Sequence, residues 1–258
     1  MDIIIFAGQS NMQGQSDRLS DSNEIHGAYE YKLLSGSIVP LKNPVGENVK
    51  ADLSEGYTYT DDTDQKAWLT DHALGSACYG HTCLVPKFCE EYVHITGREI
   101  TAVHAAKGST KIKDWLPGSS CYDVLLKKSK AAKNCVNAEH VFFVWLQGES
   151  DAIEGNSKEY YKSHIKTLNK LLKEELGIEK FGIIRVGRFT MDQRDDEIIS
   201  AQDEVCRESS DFLMLTEIAT ELFDMPGYMH PGIHGHFSAM GLERLGLEAG
   251  RALAEAVK

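Results

Sequence analysis

The chain has 258 residues, which at roughly 150 residues per domain leaves room for one large domain or two small ones. Apolar residues make up 42% and charged residues 26%, with 3 Trp, 10 Tyr and 9 Phe to fill a core, which excludes a disordered polymer. The 39 acidic residues outnumber the 27 Lys and Arg, and the resulting charge of −12 repels phosphate backbones and anionic bilayers. No apolar run reaches the about 18 residues of a membrane-spanning helix, so neither nucleic acid nor membrane is an expected partner.

The opening Met1-Asp2-Ile3-Ile4-Ile5-Phe6-Ala7-Gly8 reads as a strand entering a turn, and it lacks the basic start and small-residue cleavage site of a secretory signal. Residues 16–80 follow as a polar stretch rich in Gly, Ser, Asp and Asn, including Thr58-Tyr59-Thr60-Asp61-Asp62-Thr63-Asp64, and read as a long excursion that forms part of a substrate cleft. Beyond it, β-branched and aromatic runs at 100–105, 141–146, 181–186 and 212–215 predict buried strands. Helical patterns fall between and after them at 121–136, 157–176, 197–207 and 238–257. Such alternation predicts a parallel sheet with helices on both faces, because parallel neighbours need a crossover and a helix supplies it. With no linker or internal repeat, residues 1–258 read as one α/β domain. Cysteines 78, 83, 89, 121, 135 and 206 are scattered through a chain large enough to fold without crosslinks, so reduced thiols and a cytoplasmic location are expected. A secreted chain already trimmed of its signal would present the same residues.

Four clusters carry chemical side chains. Gly8-Gln9-Ser10-Asn11-Met12-Gln13-Gly14 stands where the first strand ends, the place in a parallel sheet where ligands bind; Ser10 there is either a displayed nucleophile or a helix cap. Gln147-Gly148-Glu149-Ser150-Asp151 leaves another strand: Gln147 can donate to an oxyanion, Glu149 can orient an imidazole, and Ser150 and Asp151 suit a helix start. In Ala105-Ala106-Lys107-Gly108-Ser109-Thr110, a glycine past a strand end lets a backbone N–H approach a ligand; Lys107 lacks the spacing of a phosphate loop. Finally, His230-Pro231-Gly232-Ile233-His234-Gly235-His236-Phe237-Ser238 precedes the last helix and supplies a general base or, alternatively, metal ligands; Cys78, His81 and Cys83 form a second loose cluster, and neither group has an established ligand spacing.

Taken in order, these clusters resemble the SGNH hydrolase superfamily, in particular its branch of sialate O-acetylesterases and carbohydrate esterase family 6 acetylxylan esterases. The likeness runs from Ile3 to about Gly246 and includes Pro40-Leu41-Lys42-Asn43-Pro44 and Trp115. It implies a three-layer α/β/α fold around a mainly parallel five-stranded sheet. It also implies a serine hydrolase that removes acetyl groups from a small acetylated carbohydrate, of the sialic acid or xylo-oligosaccharide type, without metal or other cofactor. Ser10 would be the nucleophile and His236 the base, with His234 in reserve. The N–H groups of Ser10 and Gly108 and the Gln147 side chain would form the oxyanion hole, and Gln9 and Asn11 would contact substrate. Many relatives carry an aspartate three residues before the histidine, where this chain has Ile233. Glu149, a backbone carbonyl or an acid such as Asp224 would then orient His236, or the pair would work without a carboxylate. A non-catalytic sugar-binding module and an esterase for other acyl groups are the alternatives.

Overall fold

The computed structural model describes residues 1–20, 23–46 and 82–258. The segment 58–64, Cys78 and His81, singled out above, lie outside these residues. The elements are β1 (Asp2–Gly8), α1 (Ser10–Gln13), β2 (Ala28–Lys32), β3 (Ser37–Pro40), α2 (Val85–Thr96), β4 (Ile100–Ala106), α3 (Ser120–Cys135), β5 (Val141–Leu146), α4 (Glu149–Glu154), α5 (Lys158–Leu176), β6 (Lys180–Ile184), α6 (Gln193–Glu208), β7 (Phe212–Thr216), α7 (Ala219–Asp224) and α8 (Ala239–Val257). A short 3-10 turn, Ile112–Trp115, follows β4.

One sheet in the order β3-β2-β4-β1-β5-β6-β7 runs through the molecule, and every pairing is parallel except β2 with β3. The expected five-stranded sheet therefore has seven strands. The two additions, β2 and β3, lie inside the stretch read as an excursion, and a buried ion pair disguises β2. Glu30 and Lys32 are both buried in β2, with Lys32 Nζ 3.1 Å from Glu30 Oε2. Lys32 also donates to Gly46 O (2.7 Å), and Gly46 N–H donates to Glu30 Oε1 (2.8 Å). Charges satisfied by one another and by a neighbouring loop can occupy a core strand, and no polarity pattern reveals them.

The remaining elements follow from burial. Ile3, Ile4, Ile5 and Phe6 are fully buried, as a central parallel strand covered on both faces requires. Helix α5 buries Tyr161, Ile165, Leu168, Leu172 and Leu176 along one face and starts at the capping Ser157. Helices α2 and α8 pack together on one side of the sheet, where Phe88 of α2 meets Phe6 edge-on at 5.0 Å; α3, α5 and α6 cover the other side. Each large apolar side chain removed from water contributes about 1.5–3 kcal/mol. The chain order reverses about β1, which lies between β4 and β5, so the crevice at its carboxyl end is the expected ligand position.

Candidate active site

Three of the four clusters meet because three strands end together. Gly8 pairs with Ala106 on one side and Leu146 on the other. The residues just beyond are joined by hydrogen bonds from Lys107 N to Gly8 O (2.9 Å) and from Gln9 N to Leu146 O (3.0 Å). Gly8 has φ +145°, and a Cβ there would lie 2.0 Å from Leu146 O, so only glycine lets β1 turn into α1 at this spacing. Ser10 is the first residue of α1, where the N–H has no acceptor within the helix. Gly108 is immediately beside it: a Cβ on Gly108 would be 3.6 Å from Ser10 Cβ.

The fourth cluster is brought in by Asn11. Its Nδ2 donates to Glu149 Oε1 (2.8 Å) and to Gly235 O (3.2 Å), and its Oδ1 accepts from Phe237 N (3.1 Å). The residue after Ser10 thus grips the backbone on both sides of His236. Asp17 adds a second tie by accepting from Ala239 N–H at 2.7 Å. Among the described residues no hydrogen bond joins Ser10 Oγ to the His236 ring, whose one hydrogen bond is from Nδ1 to His234 O at 3.0 Å. A carbonyl only accepts, so Nδ1 carries the proton and Nε2 keeps its lone pair, the tautomer a general base needs. Burial lowers the His236 pKa from its ordinary 6.5; positive charge on His230 and His234 acts the same way, and the His234 carbonyl opposes them.

The other two histidines of this loop are committed differently. His230 Nδ1 accepts from the N–H groups of Gly232 and Ile233, both at 2.9 Å, and builds the turn. His234 is exposed and donates through Nε2 to Phe189 O at 2.7 Å. Asp224, at the exposed end of α7, forms no hydrogen bond among the described residues.

Four expected roles need correction. Glu149 does not orient His236: it holds Asn11, and its Oε2 is buried with no partner among the described residues. Burial raises its pKa, with the Asn11 amide pulling the other way. A backbone carbonyl, that of His234, occupies the position beside the imidazole. Gln147 is fully buried, and its Nε2 is spent on Asp151 Oδ2 (2.6 Å), Thr110 O (2.9 Å) and Gln9 Oε1 (3.3 Å), so it offers no hydrogen to an oxyanion. Gln9 faces inward and accepts from Ser150 N (3.1 Å) and Gly148 N (3.4 Å), fastening α4; Asn11 is equally buried. Neither contacts substrate in this arrangement. Gln9, Asn11, Gln147 and Asp151 form a polar frame beneath the site, and their clustering at strand ends signalled proximity without revealing which way each side chain faces. Asp151 completes it by accepting from Ile112 N and Asn156 Nδ2. The Gly108 N–H, in turn, is held by the chain's own Gln13 Oε1 at 3.0 Å, an oxygen that also accepts from Gln15 Nε2 at 2.9 Å.

This sheet, with its serine turn at the carboxyl end of the central strand, has the SGNH type of α/β fold. A lipase/acylhydrolase from Enterococcus faecalis superposes with a TM-score of 0.55 at 15% identity, over 100% of this chain and 98% of that one. A carbohydrate acetylesterase from Xanthomonas citri gives 0.59 at 16%, over 99% of this chain and 57% of that one. An Arabidopsis thaliana protein described as a probable carbohydrate esterase is 26% identical over 185 residues, 71% of this chain and 67% of that protein, and its structure gives a TM-score of 0.65 over 99% and 96%. The chain belongs to the family of carbohydrate esterases described as sialic acid-specific acetylesterases, whose profile matches residues 1–256. It is a carboxylic ester hydrolase of that family, which acts on acetyl esters of carbohydrates.

Proposed function

We propose that the protein removes O-acetyl groups from a small carbohydrate through a serine-bound acyl intermediate, with Ser10 as nucleophile and His236 as base. The observation that carries this reading is the Asn11 clamp, which fastens the backbone on either side of His236 to the turn that bears Ser10. His236 Nε2 takes the Ser10 hydroxyl proton while Oγ attacks the acetyl carbonyl, and the N–H groups of Ser10 and Gly108 receive the oxyanion. For that to happen the substrate oxygen must replace Gln13 Oε1 on Gly108 N–H. Collapse expels the sugar hydroxyl with the proton held by His236. Water, deprotonated by the same ring, then attacks the acetyl-serine, and the ring returns that proton to Ser10 Oγ as its bond to the acetyl carbon breaks and acetate leaves.

Sialic acid and xylo-oligosaccharide acetates are the two substrate types that the sequence resemblance supports. The high acidic charge disfavours a polyanionic glycan, and a cytoplasmic enzyme with reduced thiols is the matching setting.

Hydrolysis of an aryl acetate, followed for the purified chain, tests the mechanism. Ser10→Ala and His236→Ala should each lower kcat by roughly 10⁴-fold or more while the fold is retained by circular dichroism. Chelation should leave turnover unchanged. Zinc-dependent activity that survives Ser10→Ala would overturn the assignment. Binding of acetylated glycans without turnover at any pH would mark a sugar-binding module, and a preference for longer acyl chains a different esterase.

A further inference from the structure

We propose that Asp195 and His234 are positioning residues which together replace the missing triad carboxylate, by holding the His234 carbonyl against His236 Nδ1. The proposal rests on the reading of Ser10 and His236 as the reacting pair. A carbonyl can fix the tautomer of the base, but in a surface loop it does so only if the loop itself is held. Four features of the structure hold this one.

The His234 ring donates to Phe189 O at 2.7 Å, which anchors the residue whose carbonyl is in question. The Phe189 ring stands edge-on to His234 at 5.4 Å and to His236 at 6.3 Å, so one aromatic side chain lies against both imidazoles. Gly235, between the two histidines, has φ +70°, and a Cβ there would come within 2.1 Å of that ring; the loop closes over Phe189 because residue 235 has no side chain.

Phe189 is itself fastened to a buried carboxylate. Asp195, in the first turn of α6, is 2% exposed and accepts from the N–H groups of Phe189 (3.1 Å), Thr190 (3.0 Å) and Met191 (2.8 Å). Gathering three consecutive N–H groups onto one carboxylate accompanies a left-handed Met191, φ +61°, a conformation that a side-chain-bearing residue adopts at a cost. The connection therefore runs from the Asp195 carboxylate through the 189–191 backbone to the His234 ring, and from the His234 carbonyl to His236. Asp195 does not touch the imidazole. Its contribution is orientation, and the groups whose charge faces His236 are His230 and His234.

The test compares kcat, KM and the pH profile of aryl acetate hydrolysis for the full chain and for His234→Leu, His234→Gln and Asp195→Asn, with Ser10→Ala and His236→Ala as references. His234→Leu should lower kcat about tenfold to a hundredfold with KM within about twofold, the pattern of a group felt only in the transition state. His234→Gln, which keeps an N–H near the Nε2 position, should recover most of that loss. Asp195→Asn should resemble His234→Leu, and the double variant should be no worse than the poorer single one, because both act on the same carbonyl. The His236 Nδ1 proton resonance should shift in His234→Leu and return in His234→Gln. Should Asp195→Asn fail to fold, His234→Leu, which alters an exposed side chain, decides alone. Wild-type kcat in His234→Leu, or a change confined to KM, would overturn the proposal while inactive Ser10→Ala and His236→Ala left the functional reading intact. An active Ser10→Ala would instead sink that reading.

Discussion

Glu149 and His236 are the two titratable groups on which the site turns, and burial acts on them in opposite directions. It raises the pKa of Glu149 above 4.5 and lowers that of His236 below 6.5. For the imidazole, a proton is bound more weakly in the folded chain than in a free histidine, so the neutral base persists to lower pH. The acid limb of kcat/KM should accordingly fall below 6.5, as a pH–rate profile with an aryl acetate will measure. The carboxyl case has the opposite sign. The folded state holds the Glu149 proton more firmly than the unfolded one, so stability is lost as pH rises from 4.5 through the folded value. Glu149→Gln removes that penalty and keeps an acceptor for Asn11. Its melting temperature should exceed that of the natural chain at pH 7 and converge with it below pH 4.5. Glu149→Leu removes the acceptor and strands a buried amide hydrogen, which should cost about 1–3 kcal/mol of stability, read by chemical denaturation.

Helix α8 links stability to the site because its N-cap, Ser238, lies two residues after His236. Ser238 Oγ accepts from Gly241 N (3.1 Å) and donates to Gly227 O (2.7 Å), so one hydroxyl both caps the helix and ties it to the preceding loop. Ser238→Ala should destabilise the protein by about 1–2 kcal/mol and lower kcat more than it raises KM, since the freed loop carries the base. Helix α2 shows how much an element depends on its neighbours. Its buried Val85, Phe88, Cys89 and Tyr92 become a recognisable face once α8 and Phe6 are seen against them. Strand β2 is a sharper case: its Glu30–Lys32 pair reads as solvent-exposed surface until Gly46 is seen to complete both charges.

At the scale of the whole molecule a single sheet organises the described residues, and the core around it sequesters three of their five thiols. Cys83 and Cys89 are fully buried, and burial pushes the Cys83 thiol up to about 12; Cys121 rises to about 11 for the same reason, while Cys135 is exposed. Among the described cysteines, a thiol reagent under native conditions should modify Cys135 first and reach Cys83, Cys89 and Cys121 only on unfolding, a sequence that mass mapping with time will follow. Among the described residues no helix is long and apolar enough to cross a membrane.

Much of this architecture is legible along the chain, because burial writes itself locally. The run from Ile3 to Phe6, the one-sided face of α5 and the strand endings at Gly8, Ala106 and Leu146 all follow from which side chains must leave water. Those endings also announced that Gln9, Ser10, Gly108, Gln147 and Glu149 would be neighbours. The direction of each hydrogen bond is another matter, because it depends on groups far apart in the chain. Asn11 was free to reach substrate until Gly235 and Phe237, over 200 residues away, were seen to claim it; Gln147 could have served an oxyanion until Thr110 and Asp151 took its hydrogens. Amino-acid order alone marked which apolar side chains are buried and which strand ends converge. Partnership among the buried polar groups was settled by folding, since an amide or carboxylate has several possible partners and only the packed chain selects among them.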